Sequence, residues 1–168
     1  MSMLVATASA VPMMIDGKQG GAILNVASIE ATRAAPNYAV YAACKAAMVS
    51  LTRSMALEFS PHAIRVNAIA PDHTVTPGVR GNRAGPVDEA SWRRPSIEQQ
   101  AAMDQLVPLM REGVPEECGD AAVYLCSRMS SYVTGVLLPV DGGTWAAGGW
   151  MRTPAGAWTL NQGLPTVG

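Results

Sequence analysis

Apolar positions fall along this chain in two rhythms. "SMLVATASAVPMMI" (residues 2–15) and "PNYAVYAACKAAMVSLTRSMALEFS" carry apolar side chains at helical spacing with almost no charge on most faces, the pattern of helices covered on more than one side. Three shorter apolar runs, "AILNVAS", "AIRVNAIAP" and "GVLLPVDGG", stop at small polar residues, at Pro71, and at the pair Gly142 and Gly143, as buried strands do. "DGKQGG" supplies a turn before the first of them. Between the second and third lie a Pro/Gly/Arg-rich stretch from Asp72 to Pro95 and two helical patterns, Ser96 to Met110 and Pro115 to Met129. Pro115 followed by Glu116 and Glu117 suits a first helical turn, where a missing N–H and a negative charge are both favoured. The order helix, strand, helix, strand, helices, strand predicts an α/β fold in which three parallel strands are covered by helices. Ligands of open α/β sheets bind beyond the carboxyl ends of the strands. That rule gathers Ser28, Pro71 to Thr76 and the Asp141 region on one edge, with Tyr41 beside them.

Composition narrows the picture. A chain of 168 residues with 49% hydrophobic content supports one domain with a real core. The net charge of −1, from 12 basic and 13 acidic residues that form no blocks, leaves no electrostatic footprint for nucleic acid or an anionic membrane. A small-molecule ligand or a protein partner is the expectation. Cys44, Cys118 and Cys126 have neither CxxC spacing nor accompanying histidines, so no disulfide framework or zinc site is indicated and a reducing cytoplasm fits. Cys118 and Cys126 fall in a helical pattern, where free cysteine usually acts as a small buried hydrophobe. The opening run followed by "ASA" imitates a signal peptide, yet no Lys or Arg precedes Lys18, so the charged n-region is missing. No run reaches the length of a membrane span.

Chemistry enters at "YAACK". Tyr41 and Lys45 stand four residues apart, so a phenol and an ammonium lie on one helical face and reach toward a common point. An amphipathic face with a snorkelling lysine is the plain alternative. Ser28 in "NVAS" precedes Tyr41 by 41 − 28 = 13 residues.

These residues, in this order, resemble the short-chain dehydrogenase/reductase family. Its Tyr-x-x-x-Lys corresponds to Tyr41 and Lys45, and its serine after an Asn-x-x-Ser strand end corresponds to Ser28. "IRVNAIAP" with Thr76 resembles the next strand and its sequel, and "SSYVTGVLLPVDGG" the last strand and its approach. The resemblance implies a Rossmann-like doubly wound parallel sheet, of which residues 1–145 hold the last three strands and their helices, followed by a Trp/Gly/Pro-rich tail, 146–168. It implies NAD- or NADP-dependent interconversion of a secondary alcohol and a ketone, with a 3-oxoacyl or sugar-like substrate among the candidates. Hydride transfer to a carbonyl builds charge on oxygen, and a proton donor placed there removes it as it forms. Free phenols ionise only near pH 10, and a neighbouring ammonium favours phenolate. The resemblance therefore assigns proton exchange to Tyr41, support of it and grip on the nicotinamide ribose to Lys45, and a substrate hydrogen bond to Ser28. It adds Pro71, Asp72, Thr74 and Thr76 to the cofactor contacts.

The sequence departs from the family pattern in three places. Asp72 replaces the glycine of a Pro-Gly pair, where glycine would let backbone approach the cofactor. Thr74 replaces an aliphatic residue, although Thr76 still matches. No glycine-rich strand-turn-helix fingerprint occurs, since the first strand corresponds to the fifth of the family's seven. The pyrophosphate cradle would lie before Met1, so weak dinucleotide binding and an open apolar edge on "AILNVA" are expected of the chain alone.

A catalytically silent fragment that serves as an oligomerisation module is the competing expectation. A sugar-nucleotide epimerase or dehydratase of the extended branch is a third, disfavoured because 168 − 143 = 25 residues follow Gly143. Smaller expectations complete the reading. His73 and Glu30 read as solvated loop residues with a possible place near substrate, and His62 as local helix-end chemistry. Arg80, Arg83, Arg93 and Arg94 read as either solvated or aimed at an anionic group. Trp145, Trp150 and Trp158 imply a tail docked on a neighbouring subunit or a site rim. The apolar helices imply a homodimer or homotetramer.

Overall fold

A computed structural model describes residues 2–81 and 85–160. Arg83 and the end of the tail, 161–168, lie outside the described residues. The elements run α1 (Ser2–Gly17), β1 (Gly21–Val26), α2 (Ala39–Glu58), β2 (Ile64–Pro71), α3 (Ile97–Leu106), α4 (Pro115–Cys126), β3 (Leu137–Val140), α5 (Thr144–Ala147), β4 (Met151–Arg152) and β5 (Trp158–Thr159). The chain divides into two compact units, Met1–Pro71 with Glu116–Val140 and Asp72–Pro115 with Asp141–Gly168.

The first unit holds a three-stranded sheet in the order β1-β2-β3, parallel throughout, as the order of elements predicts. Its register aligns Val26 with Ile69 and Pro71 with Val140, so all three strands finish toward one edge. β2 is central and nearly wholly buried, which is why it is apolar at every position except Arg65 and Asn67. Its alternate positions serve opposite faces. Ile64 and Val66 join Val11 of α1 and Met55 and Ala56 of α2 in one buried cluster, and Ala68 joins Val49 and Ala27 in another. On the other face, Arg65 donates to the carbonyls of Leu125, Ser127 and Val133 and to Ser130 Oγ. Asn67 donates to the Val133 carbonyl and accepts from the Val136 N–H. Arg65 thus closes the carboxyl end of α4, whose last carbonyls have no partner within the helix.

The α1–β1 turn needs glycine at position 20. Its φ is +71°, and a Cβ there would stand 2.5 Å from the Ala63 carbonyl oxygen, too close for any side chain.

The second unit contains α3, opened by a capping box in which Ser96 Oγ accepts from Gln99 N–H and Gln99 Oε1 from Ser96 N–H. The helix stops at Leu106, short of the expected Met110. Pro108 explains the stop: it has no N–H to continue the ladder and drives Val107 to an extended φ of −90° and ψ of 118°, and the Leu109 N–H then bonds the Gly142 carbonyl. The region expected to be without period folds into α5 and the β4–β5 hairpin. Arg152 stacks 4.8 Å from the centroid of the Trp158 ring.

Two expectations about side chains are corrected. Cys126 is exposed and Cys118 only half-buried, because α4 places little besides Leu125 in the core. His73 is not a solvated loop residue: it takes φ +40° and sits half-buried with Nε2 3.1 Å from Asp72 Oδ2.

Candidate active site

The site grows from the carboxyl end of β1. Ala27 continues the ladder through its N–H to the Ile69 carbonyl at 2.8 Å, and the chain then turns over Ile29, which is completely buried. Ser28 starts this single helical turn. It is buried, and its Oγ accepts the Glu30 N–H at 3.2 Å, the usual role of serine at a helix start. Among the described residues its O–H proton has no acceptor, so the hydroxyl is oriented by one hydrogen bond and free to donate another. Glu30 is tied to Arg33 at 2.7 Å and is not a freely solvated carboxylate.

α2 brings the other two groups. Asn37 takes a left-handed φ of +68° and turns the chain from Pro36 into the helix, whose first bond joins Ala42 N–H to the Tyr38 carbonyl. Three residues after Ala42, Lys45 Nζ donates to the Val26 carbonyl at 2.8 Å. That bond fastens the start of α2 to the end of β1, two residues before Ser28. Tyr41 lies one turn earlier on the same face, its ring centroid 5.5 Å from Lys45 Nζ and 6.4 Å from the Tyr38 ring in an edge-on arrangement. The Tyr41 side chain is about half exposed. Two features have no signature in the sequence reading: the Val26 carbonyl as anchor for Lys45, and Tyr38, although its place three residues before Tyr41 was the available clue.

Of the other expected site residues, Pro71 ends β2 in the first unit. Asp72, Thr74 and Thr76 belong to the second. Thr74 Oγ1 donates to the Asp72 carbonyl at 3.1 Å, and this segment is strapped to Gly113 by two backbone bonds, Val75 N–H to Gly113 O and Gly113 N–H to His73 O. The left-handed residue here is His73, not Asp72; the absence of glycine at position 72 therefore demands no unusual backbone there. Thr76 Oγ1 accepts the Val79 N–H at 3.3 Å. Asp141 is buried and its carboxylate accepts from the Gly143 and Trp145 N–H groups, which ties down the approach to α5 and its first turn. Among the described residues no helix is long and apolar enough to cross a membrane, and no cluster of His, Cys, Asp and Glu could hold a metal ion.

The chain as a whole is similar to known proteins. A family profile described as enoyl-(acyl carrier protein) reductase matches residues 1–144. The 3beta-hydroxysteroid dehydrogenase 1 of Eggerthella lenta is 39% identical over 134 residues, 80% of this chain and 47% of the relative. A short-chain type dehydrogenase/reductase of Sinorhizobium fredii is 40% identical over 149 residues, 88% of this chain and 24% of that one. Among solved structures, a 7 alpha-hydroxysteroid dehydrogenase complexed with NADH and 7-oxo glycochenodeoxycholic acid superposes with a TM-score of 0.72 at 31% identity, covering 95% of this chain and 53% of that one. The chain belongs to the short-chain dehydrogenase/reductase family, and its three parallel strands and helices are part of that Rossmann-like fold. It spans between about a quarter and about half the length of the curated relatives it matches.

Proposed function

We propose that this chain carries the catalytic groups of an NAD(P)-dependent oxidoreductase that interconverts a secondary alcohol and a ketone. The observation that carries the reading is the Lys45–Val26 bond, which fixes Tyr41 and Ser28 to the same strand end while leaving both hydroxyl protons uncommitted. Relatives support the cofactor: the hydroxysteroid dehydrogenase structure contains NADH, and a carveol dehydrogenase of Mycobacterium avium, 31% identical with a TM-score of 0.69, contains NAD.

The residues fit one end of such a cofactor. Lys45 has three N–H donors and uses one on Val26, which leaves two for ribose hydroxyls. Thr76 accepts the Val79 N–H through Oγ1; with Pro71, Asp72 and Thr74 it makes up the further cofactor contacts that the family resemblance implies. When bound, the nicotinamide supplies or takes the hydride at the substrate carbon. Tyr41 gives its proton to the carbonyl oxygen as charge develops there and takes one back in the reverse direction. Ser28 donates a hydrogen bond to that oxygen from a position set by the buried Ile29 turn, so little reorganisation accompanies the reaction. Lys45 holds the helix start in place and keeps a cation at the face of the Tyr41 ring.

The test is turnover of ketones with NADH and NADPH by the chain alone and by the chain fused behind the N-terminal half of a matched relative. Activity that vanishes in Tyr41→Phe, with unchanged circular dichroism, supports the reading; a near-normal rate in that variant would sink it.

The same chain is proposed to work as a homodimer or homotetramer in the cytoplasm. α2 buries Val49, Thr52, Met55 and Ala56, yet Val40 and Leu57 are more than three-quarters exposed, and Leu4, Val5 and Met13 of α1 are more than half exposed. Light scattering after size exclusion reads this directly, and a soluble monomer at tens of micromolar would overturn it. Association without turnover in the fused protein would instead favour a silent interaction module.

A further inference from the structure

The second unit contains a cavity of about 500 Å³ that the proposed chemistry does not use. Its lining combines apolar side chains, Val79, Pro95, Met103 and Leu106, with Arg80, Arg93 and Arg94 and the single carboxylate of Glu112. Arg80 is neutralised, since its guanidinium is ion-paired with Glu112. Arg93 and Arg94 have no carboxylate partner among the described residues. The nearby acids of α3 are already engaged, Glu98 by the Ser96 hydroxyl and Asp104 by Gln100. Three arginines less one glutamate leave a local charge of +2 on a chain whose net charge is −1. The Arg93 N–H bonds the Arg80 carbonyl at 2.9 Å, and Pro95 holds Arg94 extended, so the two cations sit on a braced segment.

We propose that this cavity binds a small amphipathic anion, with a carboxylate or phosphate head on Arg93 and Arg94 and an aliphatic body against Met103 and Leu106. Its volume is in the range of small-molecule sites. A guanidinium presents a planar fork that matches both kinds of oxyanion. The apolar lining supplies what a bare inorganic anion could not use. The inference concerns binding in the second unit and stands apart from the hydride chemistry assigned to Tyr41.

Titration of the 168-residue chain with decanoate, decyl phosphate and decanol, followed by calorimetry below their micelle concentrations, tests it. Both anions should bind about tenfold or more tightly than the alcohol, the gain expected of a hydrogen bond to a charged group, and their ratio identifies the preferred head. The double variant Arg93→Gln, Arg94→Gln alters two exposed side chains and should bring the anions down to the affinity of decanol. Tyr41→Phe should leave all three affinities unchanged, which separates this site from the catalytic one. Equal binding of acid and alcohol, no binding of any probe, or an unchanged affinity in the double variant would overturn the proposal.

Discussion

The two ends of the first unit's sheet treat polar groups in opposite ways. At the amino end of β2, the Arg65 guanidinium is engaged by four acceptors around the end of α4. At the carboxyl end of β1, Ser28 and Lys45 are each fixed by one hydrogen bond and keep donors in reserve, and Tyr41 is held by ring contacts alone. A polar group whose valences are filled by its own protein holds structure together. One that is oriented but unfilled can act on something else, and that difference is what the proposed site at the carboxyl end rests on.

The largest effect should come from emptying the reserve. Tyr41→Phe removes only a hydroxyl with no hydrogen-bond partner among the described residues, so stability should stay within about 0.5 kcal/mol while turnover falls about 10²-fold or more. Arg65→Met should do the reverse. It leaves several half-buried acceptors without donors, and chemical denaturation should show a loss of roughly 2–4 kcal/mol with no specific effect on substrate affinity. A stable Arg65→Met protein would mean that water replaces the guanidinium, and the contrast between the two ends would fail.

Much of this was legible in the chain itself. The strands show as apolar runs ended by Pro71 and by Gly142 with Gly143, and the spacing of Ser28, Tyr41 and Lys45 points to one strand end and one helix face. Arg65 was not legible, because an arginine inside "AIRVNAIAP" looks like an outward-facing residue until the carbonyls of residues 125 to 133, distant in sequence, come to meet it. Backbone acceptors carry no residue code, so the Val26 carbonyl was equally silent. The β4–β5 hairpin escaped for another reason: strands of two residues are too short to show a period.

Ser28→Ala lies between the extremes. Losing the cap on Glu30 should cost about 1 kcal/mol, and losing the bond to the substrate oxygen should lower kcat/KM about tenfold beyond any effect of stability. If the rate falls only in proportion to folded protein, Ser28 belongs with Arg65 as a structural group.

The smallest effect is expected at Ser96, which is the control for Ser28. Both hydroxyls accept a backbone N–H at 3.2 Å, but the Ser96 proton is engaged by Glu98 Oε2 at 2.7 Å. That bond, and then the backbone N–H of Glu98, hold the Glu98 carboxyl below the ordinary glutamate range. A depressed carboxyl contributes stability above the unfolded value, and the contribution is lost as pH falls through the folded value. Glu98 is fully exposed, so the stability change should be minor and the titration itself is the better measurement. In Ser96→Ala, the carbon-detected titration of Glu98 should move up toward an ordinary glutamate, stability should drop by about 1 kcal/mol for the lost cap, and turnover should be unchanged. A turnover loss in Ser96→Ala as large as that in Ser28→Ala would show that removing a serine cap anywhere disturbs catalysis, and the uncommitted proton of Ser28 would then explain nothing.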